Sequence, residues 1–240
     1  MLCFHSAIVY YKWISAQPAD ITDYLTWLCA QGMQIYGIRY PDFRRSIAIS
    51  MKDITIRRPG IEERESIHTF FEEMLVDTFE KNNVSDMKEL LQEEILDKKR
   101  YIAQDFETEG EERFFLLAEH KGEIIGSIEY GPSNDLLNSC TGGEFKDMLE
   151  IGTVFVRPDW QKRGISVLLM YSLFEELKEK RVEEVCFDSG YKIAQGIWCK
   201  RFGSPAYYLE NYWGEGFHHM VWRVKVKEAL VRFAPKAVEP

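Results

Sequence analysis

The strongest constraint on the fold is a succession of strand, loop and helix between residues 149 and 180. Residues 149–156 are mostly apolar, with several β-branched side chains, and predict a strand that Pro158 ends. A basic loop leads to Gly164, and residues 165–180 then repeat apolar side chains at the spacing of one helix face. A strand that passes through a short glycine-containing loop into a helix is typical of an α/β domain.

Further strands and helices flank this segment on both sides. From residue 53 the predicted order is β-α-α-β-β-β-α-β-α-β-β, which is a mixed α/β domain at residues 51–230 with a tail at 231–240. Five of the six other strands are predicted at 54–57, 113–120, 123–130, 185–187 and 217–226, the other helices at 61–79, from about 85 and at 191–201, and a polar loop at 131–146.

Residues 1–50 form a separate segment that predicts a short strand, helix, strand extension. No residue pattern in it indicates chemistry. We expect this β-α-β-like extension to pack on the main domain or on a second subunit of a homodimer.

Composition places the chain among ordinary globular proteins of the cytoplasm. Hydrophobic residues make up 45% and charged residues 29% of its 240 residues. Its five cysteines are an odd number without a C-x-x-C pair, which favours a reducing compartment. The longest uncharged stretch, residues 24–38, is too short to span a bilayer, so no membrane association is predicted.

The charge of the chain is acidic and localised. The net charge is −9, which argues against a nucleic-acid partner because phosphate binding needs a basic surface. Residues 62–109 contain fifteen acidic and six basic residues, so this segment alone accounts for the whole excess.

The loop before the helix at 165–180 has the features of an anion site. The first amides of a helix have no partner within the helix, and the helix dipole makes that end positive. Gly164 permits close approach of a phosphate to the backbone, and Lys162 and Arg163 add positive charge. The alternative interpretation is an ordinary structural cap.

Here the sequence resembles a known family. The pattern Val156-x-Pro158-x-x-Gln161-x-x-Gly164-x-Ser166 is similar to the coenzyme A motif Q/R-x-x-G-x-G/A of the GNAT superfamily, the acyl-CoA-dependent N-acyltransferases. The resemblance extends over about residues 53–226, and the order of predicted elements agrees with it. Ser166 departs from the motif, but serine is small, and we expect phosphate binding to be retained.

The resemblance implies a splayed central sheet, open as a V between the strands at 150–156 and 185–187. The pantetheine arm of acetyl-CoA, the implied co-substrate, would lie in this opening against the backbone of Phe155 and Val156. The pyrophosphate would be held by the backbone amides of Gln161, Lys162, Arg163, Gly164, Ile165 and Ser166. No metal is implied.

The resemblance also implies direct attack of an amine on the thioester. An alkylamine has a pKa of about 10.4, so that at pH 7 only about one molecule in 10³ is neutral and a base is useful. Glu150 lies at the position of a catalytic glutamate in the histone-acetylating members, and we predict that it is the general base. The alternative is a carboxylate at a strand end that is merely paired with a cation.

The general acid is less defined, because the family motif N-x-x-A-x-x-x-Y becomes Tyr191-x-x-Ala194-x-x-x-Trp198 here. An indole N–H is not a useful acid. Cys199 and Tyr208 are the two candidates that remain, and the thiolate could also leave unassisted, since its pKa is about 8.5.

A metal site is not predicted. His218 and His219 are consecutive in a predicted strand and therefore point to opposite faces. The aromatic residues between 198 and 222 are predicted to form core and a rim of the acceptor pocket rather than a cage for a cation.

These observations predict an N-acetyltransferase that acts on a small amine. The acidic segment 62–109 favours a cationic amine, because carboxylates at a pocket mouth attract cations; the alternative is that the charge serves solubility alone. Two other functions remain open, namely a non-catalytic acyl-CoA sensor and a protein acetyltransferase acting on a lysine or an N-terminus.

Overall fold

A computed structural model describes residues 53–234, and the predicted extension at 1–50 lies outside them. The strands are β1 (Ile54–Arg57), β2 (Phe114–His120), β3 (Glu123–Pro132), β4 (Leu149–Val156), β5 (Glu184–Ser189), β6 (Tyr207–Leu209) and β7 (His219–Lys225). The helices are α1 (Arg64–Lys81), α2 (Lys88–Glu107), α3 (Asp135–Cys140), α4 (Ile165–Glu179), α5 (Lys192–Phe202) and α6 (Val226–Phe233), with 3-10 turns at Ile61–Glu63 and Pro158–Trp160.

The seven strands form one mixed sheet in the order β1-β2-β3-β4-β5-β7-β6. Every neighbouring pair is antiparallel except β4 and β5, which are parallel. Helices pack on both faces of this sheet, so the predicted mixed α/β class is confirmed.

The parallel strands β4 and β5 are paired over a very short distance. Only Leu149 with Val185 and Glu150 with Cys186 are in register, and the two strands diverge beyond these pairs. β4 continues to Val156 beside β3, and β5 continues to Ser189 beside β7. The predicted V-shaped opening is therefore present in the sheet.

A β-bulge in β4 accompanies this divergence. The register between β3 and β4 shifts between Ser127 and Glu129, and the backbone of Thr153 takes a φ of 50°. The buried Ser127 hydroxyl donates to the Thr153 carbonyl (2.8 Å), and the Thr153 hydroxyl donates to the Glu129 carboxylate (3.2 Å). Such a bulge bends its strand and increases the local twist, which turns β4 away from β5.

The core consists of a separate layer on each face of the sheet. Helices α4 and α6 cover one face, where Ile151, Phe187 and Trp222 are buried beneath them. Helices α1 and α2 cover part of the other face, where Phe71 and Phe115 are buried. Side chains alternate between these two faces along each strand, so each strand residue can be assigned to one face.

Two helices depart from the expectations of the sequence. The predicted loop at 131–146 contains the short helix α3, which the Asn134 side chain caps by accepting from the Leu137 amide (2.8 Å). Helix α6 crosses the predicted domain end at residue 230 and buries Phe233 in the main core. Both helices have eight residues or fewer, and helices this short produce little periodic signal.

A buried ion pair links β3 to Arg113, the residue before β2, and packs against α2. Arg113 donates to Glu129 (2.6 Å), and the two side chains are 7% and 2% exposed. The guanidinium also lies 3.8 Å from the ring centroid of Tyr101 on α2. Burial raises the pKa of Glu129, and the positive charge of Arg113 opposes that rise.

We expect Arg113→Met to destabilise the domain by about 3–5 kcal/mol at pH 7, because it leaves a buried carboxylate without its partner. The loss should shrink at lower pH, where Glu129 becomes neutral. Urea unfolding at pH 5 and pH 7 measures both effects. Arg223→Met, which removes the exposed partner of Glu184, is the control and should change stability little; equal losses in the two variants would contradict the assignment.

Candidate active site

The carboxylate of Glu150 lies where the two parallel strands begin to separate. Glu150 is opposite Cys186 on β5 and alternates with Ile151, whose side chain is in the core beneath α4. Its own side chain is therefore on the other face of the sheet. Asn134 donates to both carboxylate oxygens, through its backbone amide (2.7 Å) and its side-chain amide (2.9 Å). Since Asn134 also caps α3, the helix start orients the carboxylate.

The surroundings of Glu150 raise its pKa to about 8. Burial is the main cause, and the negative charges of Asp188 and Glu129 add to it. The Asn134 amide and the positive charge of Lys98 act in the opposite direction. A carboxyl group with this pKa exchanges its proton near neutral pH, as a general base requires.

The predicted anion loop has an open helix start. Gly164 takes a φ of 88° immediately before α4, a conformation that glycine adopts without steric cost. The first bonds within the helix run from Val167 and Leu168 to the Gly164 carbonyl, so the amides of Ile165 and Ser166 have no acceptor within it. The first turn of α4 contains no acidic residue. Arg163 lies 5.1 Å from the ring centroid of Trp160, beside this helix start.

The side chain of Gln161 closes this loop onto the end of β4. It donates to the Val156 carbonyl (3.0 Å) and accepts from Lys81 of α1 (3.3 Å). The ring of Phe155 packs against Phe71 of α1, with 6.3 Å between ring centroids. Lys81 is a third cation at the loop, and it escapes sequence analysis because it is eighty residues away in the chain.

The two candidate acids lie away from Glu150. Tyr208 is opposite Met220 on β7, and this register places it on the face of the sheet that Glu150 does not occupy. Cys199 is exposed on α5, whose Trp198 packs against Phe187 on that same opposite face. The structure thus brings neither residue together with Glu150.

The two consecutive histidines have separate partners. His218 accepts from the Asn211 amide (3.1 Å), whereas the buried His219 contacts Asp188 (3.1 Å) and Trp213 (3.1 Å). No group of three or more His, Cys, Asp or Glu residues within 53–234 is arranged to hold a metal ion. No pattern in the sequence predicts the contact between His219 and Asp188, because the two residues lie on different strands.

Comparison with known proteins agrees with this architecture. The model of the acetyltransferase (GNAT) family matches residues 69–204, more than half of the chain, and the chain therefore belongs to this family. No curated protein matches the sequence significantly.

Solved structures of GNAT proteins share the fold at low sequence identity. PaiA N-acetyltransferase of Thermoplasma acidophilum, in complex with coenzyme A, is 16% identical with a TM-score of 0.51, over 72% of this chain and 98% of its own. Ribosomal-protein-alanine N-acetyltransferase of Brucella melitensis is 16% identical with a TM-score of 0.52, over 71% and 99%. YncA of Salmonella typhimurium, with acetyl-CoA, is 14% identical with a TM-score of 0.51, over 78% and 98%.

In the part of the chain that the structure describes, none of the helices has the length and apolar character needed to cross a membrane.

The raised pKa of Glu150 predicts a pH-dependent difference in stability between the protein and Glu150→Gln. Between the unfolded pKa of about 4.3 and the native pKa of about 8, unfolding releases the proton of Glu150. The free energy of unfolding of the native protein should therefore fall by up to about 1.4 kcal/mol for each unit of rising pH, a fall that the variant does not show. Urea unfolding between pH 5.5 and 7.5 measures the two slopes. Glu184→Gln, at the other end of β5, should keep the native slope; identical slopes for all three proteins would show that Glu150 titrates normally.

Proposed function

We propose that the protein is an acetyl-CoA-dependent N-acetyltransferase that acts on a primary amine of a small molecule, with Glu150 as the general base. The observation that carries the proposal is the partly buried Glu150 carboxylate, whose pKa is raised to about 8, at the point where β4 and β5 separate.

The opening between β4 and β5 suits an extended ligand. Backbone groups on facing edges of diverged strands lack each other as partners, and a pantetheine arm carries amides that can pair with them. The pyrophosphate would then meet the free amides of Ile165 and Ser166, with Lys162 and Arg163 beside them. Among proteins of the same fold, PaiA binds coenzyme A and YncA binds acetyl-CoA.

Glu150 would accept a proton from the ammonium group, and the neutral amine that results would attack the thioester carbonyl. Transfer from an alkylammonium of pKa about 10.4 to an ordinary glutamate costs about 8 kcal/mol, whereas transfer to a carboxylate of pKa about 8 costs about 3 kcal/mol. The environment of Glu150 thus lowers the cost of this step by about 5 kcal/mol.

The departing group is a thiolate, whose conjugate acid has a pKa of about 8.5. The positions of Cys199 and Tyr208, on the far face of the sheet from Glu150, give no support to either as proton donor. In our proposal the bond between the acetyl carbon and sulfur therefore breaks without an acid from these residues.

We further propose that the acceptor is cationic. Six of the fifteen acidic residues in 62–109 form ion pairs within the described chain, and nine have no cationic partner there. These residues lie on or next to α1 and α2, which pack on the face that carries Glu150. An excess of carboxylates on this side concentrates cations and repels anions.

Gly164→Val should weaken acetyl-CoA binding by at least about tenfold, because its side chain would occupy the space in which a phosphate approaches the backbone. Isothermal calorimetry measures the affinity. Gly203→Val is the matched control, since Gly203 has a similar φ of 83° after α5 but is not in the loop. Gly203→Val should lose stability but keep its acetyl-CoA affinity, and unchanged acetyl-CoA affinity in Gly164→Val would place the binding site elsewhere.

Acetyl transfer itself is tested with acetyl-CoA and a panel of cationic, neutral and acidic amines, by thiol release and by mass detection of the amide. We expect turnover of cationic amines, weakened by salt through charge screening. Glu150→Gln should lower turnover by about 10²-fold at pH 7, and the deficit should become smaller as the pH approaches the pKa of the amine. Acetyl-CoA binding without any amide product would favour the sensor, and turnover of an acidic amine alone would refute the cationic acceptor.

A further inference from the structure

Three side chains form a hydrogen-bonded chain beside the opening between β4 and β5. His219, at the start of β7, is 2% exposed, and its Nε2 lies 3.1 Å from Oδ2 of Asp188 on β5. Trp213, in the loop between β6 and β7, donates its indole N–H to Nδ1 of His219 (3.1 Å). We name this arrangement the Trp213–His219–Asp188 chain.

The chain selects one protonation state of the histidine. An indole N–H can only donate, so Nδ1 of His219 must accept. The proton of the neutral ring is then on Nε2, from which it is donated to Asp188. Both ring nitrogens of His219 are thereby used, and one oxygen of Asp188 is fixed in direction.

The position of Trp213 depends on a glycine. A Cβ atom at Gly190 would lie 2.8 Å from the indole nitrogen, closer than real contacts allow. The loop that carries Trp213 is closed by its own bonds, from the Trp213 amide to the Phe217 carbonyl (3.0 Å) and from the Gly216 amide to the Asn211 side chain (2.8 Å). The sequence Asp188-Ser189-Gly190 thus supplies both the carboxylate and the space that the indole needs.

Asp188 shares a sheet face with Glu150. Cys186 is the direct neighbour of Glu150 across the parallel strands, and Asp188 is two residues further along β5, on the same side. The two strands are no longer paired at that level. Oδ1 of Asp188 has no hydrogen-bond partner within residues 53–234, and the side chain is 18% exposed.

We propose that Asp188 is a second residue of the acceptor site, which accepts a hydrogen bond from the ammonium group through Oδ1 while Glu150 takes the proton. His219 and Trp213 are positioning residues that hold Asp188 in this orientation. The inference rests on the proposed amine acetylation. In the proton transfer, one N–H bond of the ammonium breaks and one O–H bond forms on Glu150. The neutral amine remains hydrogen-bonded to Asp188.

The charges around this space favour a cation. The titratable groups that interact with Glu150 come from three elements. They are Asp188 and the Cys186 thiol on β5, Glu129 on β3, and Lys98 and Tyr101 on α2. Arg113 neutralises Glu129, and burial beside the two carboxylates raises the pKa of Cys186 to about 12, so the thiol stays uncharged. The acidic groups of Glu150 and Asp188 are then faced by the single cation of Lys98, which also pairs with Glu94 (3.6 Å).

Three probes of matched shape test the site without turnover. Calorimetry of the protein saturated with coenzyme A would compare 2-phenylethylamine, 2-phenylethanol and 3-phenylpropionate, which are cationic, neutral and anionic at pH 7. We expect the ammonium to bind at least about tenfold more tightly than the alcohol, and Asp188→Asn to remove most of that preference. Glu184→Gln, the same charge change at the other end of β5, should keep it.

The outcomes separate this inference from the proposed function. Failure of coenzyme A to bind would overturn the proposed function. Binding of coenzyme A without preference for the ammonium, or with full preference retained in Asp188→Asn, would overturn only the role of Asp188.

The positioning role has its own readout in the pH dependence of kcat/KM. Asp188→Asn removes a negative charge next to Glu150, so the profile should shift to lower pH. Trp213→Phe and Gly190→Ala should raise KM for the amine with a smaller change in kcat, because they alter only the orientation of Asp188. His219→Gln keeps a donor to Asp188 and should restore what His219→Phe loses. Equal behaviour of the two His219 variants, or an unshifted profile in Asp188→Asn, would show that the Trp213–His219–Asp188 chain has only a structural role.

Discussion

The whole site depends on how little of β4 and β5 is paired. Two residue pairs hold these parallel strands together, and the bulge at Thr153 turns β4 away immediately afterwards. A longer pairing would satisfy the backbone groups of both strands and close the sheet; two pairs leave the facing edges free for an extended ligand. The bulge is secured by buried hydroxyls, those of Ser127 and Thr153, which bond to a carbonyl and to Glu129. The opening is therefore fixed by the sheet itself.

This divergence also brings together groups from distant parts of the sequence. Glu150 lies at the last paired position, and Asp188 lies two residues beyond its partner Cys186, where the strands are no longer paired. The sheet separates the two proposed tasks, because α4, with the free amides at its start, covers one face while the carboxylates occupy the face covered by α1, α2 and α3. In the proposed function, phosphate binding and proton transfer would thus share a strand without competing for the same charges.

Sequence periodicity predicted most of the elements, because apolar side chains at Ile67, Phe70, Phe71 and Met74, for example, repeat at helical spacing over many residues. The sequence did not predict helix α3, because six residues are too few to show a helical repeat, although Asn134 at the start of this helix orients Glu150. Two further contacts could not be predicted from the sequence, that of His219 with Asp188 and that of Lys81 with Gln161. Strand order and helix placement bring these residues together. The position of Glu150 on its strand followed from a resemblance, while the pKa of Glu150 depends on burial and neighbours that no sequence displays.

Two carboxylates on one face of the sheet show how environment assigns different roles to the same chemical group. Glu129 is held by Arg113, which itself stacks on Tyr101, and this ion pair is fully buried. Glu150, the neighbouring carboxylate on β4, has no arginine partner within the described chain and receives two bonds from the neutral Asn134 instead. Burial raises the pKa of Glu129, the cation of Arg113 opposes that rise, and the pair serves structure. A carboxylate that is held by neutral donors and faced by a second carboxylate binds a proton more tightly than an ordinary glutamate, so its ionised form accepts a proton from an ammonium group at smaller cost, as the proposed base would require.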